Sequence, residues 1–201
     1  MTDGAGAAVK YILQLLIRPG QNDSIMIPLP QYPLYSAGIT LYGGKQAGYY
    51  LNESQQWQLS VEELNRVYEE SEKSGEHVRA LVVINPGNPT GSVLSRDNMI
   101  EIVKFCIEKR IVLLADEVYQ DNMYHDDESK SFISFNRVMY ELNLENELEL
   151  ISFHSASKGY LGECGRRGGY VHIGQAIDDG VLAQLVKLVS VILAPNTHGQ
   201  L

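Results

Sequence analysis

Cysteine is scarce: Cys106 and Cys164 are the only two in 201 residues. Two cysteines make neither a disulfide framework nor a zinc-ligand pattern, so a reducing compartment is the default. Positive charge is short as well. Sixteen Lys and Arg stand against 25 Asp and Glu, a formal net charge of −9. With no basic stripe, the chain lacks the electrostatic footprint of a nucleic-acid binder, and the excess of one sign favours solubility. No apolar run approaches the roughly 18 residues of a membrane-spanning helix. No succession of basic, apolar and small residues marks a secretory leader. Internal repeats and low-complexity tracts are missing too. What is left is an ordinary globular composition, 44% hydrophobic and 20% charged. The length suits one domain, or one and a fraction, with its own core.

What is present is an alternation of two hydrophobic periods. Gly4 to Ile17 predicts a helix behind a small-residue N-terminus, with Val9, Ile12, Leu13, Leu15 and Leu16 as its stripe. Ser24 to Pro28 predicts a strand, about Tyr35 to Leu41 a helix, and Lys45 to Leu51 a strand. Ser60 and Glu63 form a capping-box pattern before a helix that runs to about Lys73. Val78 to Ile84 and Ile111 to Ala115 are short, nearly continuous apolar runs, as in strands buried on both faces. Between them, Arg96 to Lys109 predicts a helix capped by Ser95, with Cys106 in its apolar stripe. Asn122 to Ser134 is polar and predicts a surface loop. Arg137 to Leu142 predicts a helix, Glu149 to Phe153 and Gly169 to Ile173 strands, and about Ala176 to Val191 a last helix. Strands alternating with helices predict an α/β class with a mostly parallel sheet flanked by helices.

Chemistry collects where strands end. In such sheets, ligands bind at the carboxyl ends of the strands. Four unusual stretches fall there: after Pro28, Ile84, Ala115 and Phe153. Pro28-Leu29-Pro30-Gln31-Tyr32-Pro33-Leu34-Tyr35 sets two tyrosines on a proline-stiffened linker. One can stack on a flat ring; the plain alternative is core packing. Asn85-Pro86-Gly87-Asn88-Pro89-Thr90-Gly91 spends two prolines and two glycines on aiming two asparagine amides, more than a surface turn needs. Asp116 follows an apolar strand, where an unpaired carboxylate is costly; it can pair with a protonated ring nitrogen, an arginine or a helix N-terminus. Tyr119 is close enough in sequence to reach the same ligand. Lys158 lies in Ser155-Ala156-Ser157-Lys158-Gly159. Desolvation or a neighbouring cation can hold such a lysine near neutrality, ready to form a Schiff base with an aldehyde cofactor. The serines beside it and the arginines beyond can hold a phosphate, as can the backbone N–H groups at the start of the first helix. For each of these residues alone, a structural role is the simpler reading. Their coincidence at strand ends is what argues for a site.

Taken together, these stretches, with Leu114 to Asn122, Ser152 to Tyr160 and Gly162-Glu163-Cys164-Gly165, resemble the class I/II aminotransferases, pyridoxal-phosphate enzymes of fold type I. The resemblance covers essentially the whole chain. The segments Gly162 to Gly165 and Pro30 to Tyr35 point within that family to the branch that uses alanine. The resemblance implies pyridoxal 5′-phosphate as cofactor, and transfer of the amino group of L-alanine to 2-oxoglutarate, giving pyruvate and L-glutamate. Another class I/II aminotransferase or lyase, or a non-catalytic cofactor-binding remnant, stays open beside it. The implied roles are Lys158 as the Schiff-base lysine and proton carrier, and Asp116 as partner of the pyridinium nitrogen. Asn88 and Tyr119 would contact the ring's phenolic oxygen, and Tyr32 its face. Ser155, Arg167 and the N–H groups of Gly4, Ala5 and Gly6 would hold the phosphate. The family has a serine where this chain has Gly6. Arg166 stands where relatives carry an aromatic residue, and it competes with Arg167 for the phosphate.

The resemblance also predicts that residues 1–201 are part of the large cofactor-binding domain, without the family's N-terminal segment and C-terminal small domain. It follows that turnover of the isolated chain would be feeble and that parts of the first and last helices would lie uncovered. Implied partners are small-molecule amino acid and 2-oxo acid substrates and, for the full-length family, a second copy in a homodimer, with no nucleic acid and no membrane. The implied compartment is cytoplasmic or mitochondrial, not secretory.

Overall fold

Alternate residues of a strand point to opposite faces, and that rule sorts this chain's core into two layers. The computed structural model describes residues 1–124 and 131–200. Its elements are α1 (Ala5–Leu16), β1 (Asp23–Leu29), α2 (Leu34–Leu41), β2 (Lys45–Tyr50), α3 (Val61–Lys73), β3 (His77–Ile84), α4 (Arg96–Lys109), β4 (Val112–Asp116), α5 (Phe135–Glu141), β5 (Leu150–Ser155), β6 (Gly169–Ile173) and α6 (Asp179–Ser190). Ile25, Ile27, Ala80, Val82, Val112 and Leu114 face α1, α2 and α6. Their neighbours Met26, Leu81, Val83, Leu113 and Ala115 face α3, α4 and α5. Both faces of the sheet are covered, which is why its central strands read as unbroken apolar runs. Cys106 is buried in the second layer.

The sheet order is β2-β1-β3-β4-β5-β6. Every pair is parallel except β5 with β6, which is antiparallel. The helix after β1 packs on one face and the helix after β3 on the other. The chain therefore leaves the β1–β3 pair in opposite directions, and a crevice opens beyond their carboxyl ends.

Most element boundaries lie within a residue or two of those expected. The last helix is the main exception. It begins at Asp179 rather than Ala176, because Asp178 Oδ1 caps it by accepting from the N–H groups of Gly180 and Val181. The capping box is half formed. Ser60 Oγ accepts from the Glu63 N–H, but the Glu63 carboxylate turns away to Arg66 and the Tyr50 N–H. Of the loop expected over 122–134, residues 125–130 lie outside the described residues. Of the apolar surface expected on the first and last helices, α6 exposes Val181, Leu182 and Val186, whereas α1 buries Ala8, Val9, Ile12 and Leu13 and leaves Tyr11, Leu15 and Leu16 half-buried. At the amino ends of the strands, Asp23 is wholly buried and binds the guanidinium groups of both Arg18 and Arg79, at 2.9 and 2.6 Å. No helix among the described residues is long and apolar enough to cross a membrane.

Candidate functional site

Because β1, β3, β4 and β5 are mutually parallel, their outgoing loops emerge on one edge of the sheet, and the four unusual stretches meet there. Asp116 is the last residue of β4, held between Ile84 and Phe153 by strand register. It is buried, and its two oxygens differ. Oδ2 accepts a 2.8 Å hydrogen bond from the Tyr35 hydroxyl. Oδ1 is buried and accepts none among the described residues. Burial pushes the Asp116 pKa up, against the opposing pull of the Tyr35 bond, the Val118 N–H and the Lys158 charge. Burial, and then the Asp116 charge, hold the Tyr35 phenol well above its usual range, so Tyr35 keeps its proton and serves as donor. A buried acceptor left without a donor costs about 1–3 kcal/mol. Oδ1 is therefore poised to gain from any donor brought to it.

Asn88 Nδ2 donates to the Tyr119 hydroxyl at 3.1 Å. Lys158 Nζ lies 5.2 Å from the centre of the Tyr119 ring, within cation–π range. Asn88, Tyr119 and Lys158 thus form one group, and the Lys158 charge is felt at Asp116. Lys158 itself is exposed, as are Tyr160 and Leu161 beyond it. The desolvation expected around this lysine is therefore not supplied by the described residues. The sequence around a loop lysine records its neighbours along the chain, not what covers it in space. Tyr32 is 52% exposed on the linker between β1 and α2 and bonds to none of the other candidates.

A second group lies at the start of α1. Gly4 precedes the helix at φ +80°, and a Cβ there would sit 2.5 Å from a guanidinium nitrogen of Arg167. The Arg167 guanidinium donates to the Asp3 carbonyl at 3.2 Å and to Ser157 Oγ at 3.1 Å. Arg166 instead pairs with Glu163 at 3.3 Å. Of the two arginines, Arg167 is thus the one beside α1 and the serines. Ser155 is buried, and its Oγ accepts from the Ser157 N–H. The Gly4 N–H already donates to the Thr2 carbonyl at 2.8 Å. Among the described residues, Ala5 and Gly6 donate to no backbone carbonyl outside the helix, so of the three expected amides these two face outward without such a partner. A Cβ at Gly6 would meet nothing within 4 Å, so the missing serine leaves open space rather than a filled one. Two further contacts tie this corner together: the Thr2 N–H donates to the Gly169 carbonyl, and Asp3 Oδ1 accepts from the backbone and side chain of Asn196.

Three residues take partners that the sequence does not show. Tyr35 was one of two tyrosines on a linker, and its bond to Asp116 spans 81 positions. Its place at the start of α2, one turn beyond Tyr32, is the only local signal. Ser157 rather than Ser155 meets Arg167, and its place in the same short motif could have suggested it. Glu117 is buried beside Asp116, where its side chain accepts from the Phe135 N–H at 2.8 Å. Burial chiefly, and also the Asp116 charge, push its pKa up to about 7 against the pull of the Phe135 bond.

Comparison with known proteins follows the same lines. The family described as aminotransferase class I and II matches residues 1–201. A probable mitochondrial alanine aminotransferase of Dictyostelium discoideum is 54% identical over 202 residues, covering 100% of this chain and 37% of the relative. Glutamate–glyoxylate aminotransferase 2 of Arabidopsis thaliana is 47% identical over 203 residues, covering 100% of this chain and 41% of the relative. The solved structure of an alanine aminotransferase from Pyrococcus furiosus superposes with a TM-score of 0.82 at 28% identity, covering 99% of this chain and 46% of that one. The chain thus spans about two fifths of the length of the curated relatives it matches.

Proposed function

The chain belongs to the class I and II aminotransferases, and on that premise we propose that it carries the pyridoxal-phosphate site of an enzyme that moves the amino group of L-alanine to 2-oxoglutarate. One observation carries the reading: a buried carboxylate, Asp116, with one oxygen engaged by Tyr35 and the other without a donor, beside the charge of Lys158. A cofactor with a protonated ring nitrogen fits that oxygen, and a phosphate fits the corner formed by Arg167, Ser155, Ser157 and the start of α1.

In this reading Asp116 Oδ1 accepts the ring N–H and keeps the proton there. Asn88 and Tyr119, already bonded to each other, present a donor to the ring's phenolic oxygen. Tyr32 supplies an aromatic face. Ser155, Arg167 and the amides at the start of α1, chiefly those of Ala5 and Gly6, hold the phosphate by charge-assisted bonds and the helix dipole. When bound, pyridoxal phosphate supplies an aldehyde for an amine and a conjugated ring that accepts electron density. Lys158 Nζ, as a neutral amine, would take the proton from the substrate Cα and deliver it to the cofactor rather than back to Cα, serving as base and then acid of the 1,3-proton shift. Holding the lysine and substrate in contact contributes several kcal/mol of barrier reduction.

The substrates in this reading are a small amino acid and a 2-oxo acid, and the working unit is a homodimer. The Dictyostelium relative's name supports both the alanine assignment and a mitochondrial location; a cytosolic one is equally compatible with the chain. The test adds pyridoxal phosphate, removes the excess and reads the visible absorption of the bound cofactor, with Lys158→Ala in parallel. A band that needs Lys158, and that disappears on adding L-alanine, is expected. A chain that binds no cofactor, or binds it equally without Lys158, overturns the reading. A band that responds to glutamate and glyoxylate but not to alanine moves the substrate assignment toward the Arabidopsis relative.

A further inference from the structure

The loop that carries Lys158 is closed at its base by the Glu163 N–H on the Ala156 carbonyl at 2.9 Å, but the backbone groups of Lys158 itself are loosely held. The Lys158 N–H reaches the Ser155 carbonyl only at 3.5 Å, and the Lys158 carbonyl accepts from Gly162 at 3.3 Å. The firmer contact comes from elsewhere in the sequence. The Gly159 N–H donates to Asn122 Oδ1 at 3.1 Å across 37 positions. Among the described residues it is the one side-chain hydrogen bond to the backbone of residues 158–162.

Asn122 is held so that its oxygen faces that N–H. Its own N–H donates to the Tyr119 carbonyl at 2.8 Å, closing the turn after β4. Its Nδ2 donates to the Tyr124 hydroxyl at 2.8 Å, which fixes which end of the amide points where. Gly159 lies close against the same turn: at φ +66°, a Cβ there would stand 2.8 Å from Asp121 Oδ2. The peptide unit joining Lys158 to Gly159 is planar. Tying down the Gly159 N–H therefore restrains that peptide plane and the position of the Lys158 Cα, the atom from which the lysine side chain departs. The turn that supplies Asn122 also carries Tyr119, whose ring lies 5.2 Å from Lys158 Nζ.

We infer that Asn122 is a positioning residue for Lys158: its side-chain carbonyl ties the lysine loop to the β4 turn and so sets the amine relative to Tyr119 and Asp116. The consequence for catalysis rests on the proposed role of Lys158; the tie between the loops does not.

The test separates the two. In the cofactor-free chain, amide hydrogen exchange is followed for the peptide covering 155–162 in the wild type, Asn122→Ala and Asn122→Asp. Opening one hydrogen bond of modest net strength raises exchange about tenfold. That rise is expected in Asn122→Ala, with protection recovered in Asn122→Asp, which keeps an acceptor on the same stem. Pyridoxal phosphate is then added. The Lys158-dependent band is expected to persist in Asn122→Ala, with cofactor affinity about tenfold weaker, and to regain most of that affinity in Asn122→Asp. Equal exchange in wild type and Asn122→Ala overturns the inference, as does failure of Asn122→Asp to restore protection. If Asn122→Ala does not fold, Tyr124→Phe replaces it. That variant frees the amide to turn, and a smaller rise in exchange at the same peptide is expected; no rise overturns the inference. If the exchange pattern holds but no form of the chain binds the cofactor, the proposed function fails and the tie between the loops stands.

Discussion

Replacing Tyr35 by Phe removes one oxygen atom and one hydrogen bond from the most buried part of the site. The bond runs from a phenol to a carboxylate, both buried, at 2.8 Å. While Asp116 is ionised, such a bond contributes about 1.5–3 kcal/mol; to a protonated carboxyl it is an ordinary neutral bond of about 0.5–1.5 kcal/mol. The difference, about 1 kcal/mol, makes the effect of the substitution depend on pH. The direction follows from linkage. Burial already raises the Asp116 pKa above its unfolded value, and the Tyr35 bond opposes that rise. Without the bond the folded pKa climbs further, so the variant binds more protons when folded than the wild type does. Its stability therefore falls more steeply as pH rises. Urea unfolding of the cofactor-free chain between about pH 4.5 and 8.5 measures this directly. Glu117 titrates next door, so the comparison belongs in a Glu117→Gln background. The expected loss for Tyr35→Phe is smallest at the acid end and grows toward the alkaline end. A loss that is constant across that range would refute the reasoning, because it would mean that Tyr35 does not discriminate the charged carboxylate.

Other consequences can be read in the same way. Glu117 holds its proton up to about pH 7 in the folded chain, against an ordinary value of 4.5. It therefore withdraws stability as pH rises from about 4.5 to 7, at most about 3 kcal/mol. Glu117→Gln keeps an acceptor for the Phe135 N–H, and is expected to flatten the stability profile over that window; an unchanged slope in denaturant titrations counts against it. Gly4→Ala forces a side chain into a glycine-only conformation and against Arg167. It is expected to cost about 1–3 kcal/mol and to weaken binding of pyridoxal phosphate more than of pyridoxal, measured by equilibrium titration; equal losses for both would detach Arg167 from the phosphate. Asp23→Ala strands two arginines that both reach solvent. Its expected cost is about 2–3 kcal/mol, below that of a wholly buried pair, and a thermal melt within a degree of wild type would contradict it.

What could be read from the sequence follows how far each signal reaches along the chain. Ser24 to Pro28, Val78 to Ile84 and Ile111 to Ala115 declare themselves as strands because both of their faces are buried, and burial on both faces writes a nearly continuous run into the sequence. Asn88, Asp116, Tyr119 and Lys158 could be proposed because each stands just beyond such a run, and a parallel sheet brings those positions to one edge. Pairings across the fold could not be read. Tyr35 with Asp116, Asn122 with Gly159 and Arg167 with Asp3 leave no periodic trace. The exposure of Lys158 was equally hidden, since small polar neighbours suit a loop whether or not something lies over it. The turned-away Glu63 shows the limit of a local motif: it had better partners in Arg66 and the Tyr50 N–H than in its own cap.

The bond between Asp3 and Asn196 joins positions 193 residues apart. A ribosome adds about 5–20 residues each second, so about 10–40 s separate the synthesis of the two partners. During that interval α1 and the sheet strands can form and pack, while the shelf beside Gly4 and Arg167 stays open on one side. The corner assigned to the phosphate thus closes only after the whole stretch between its two sides has been made.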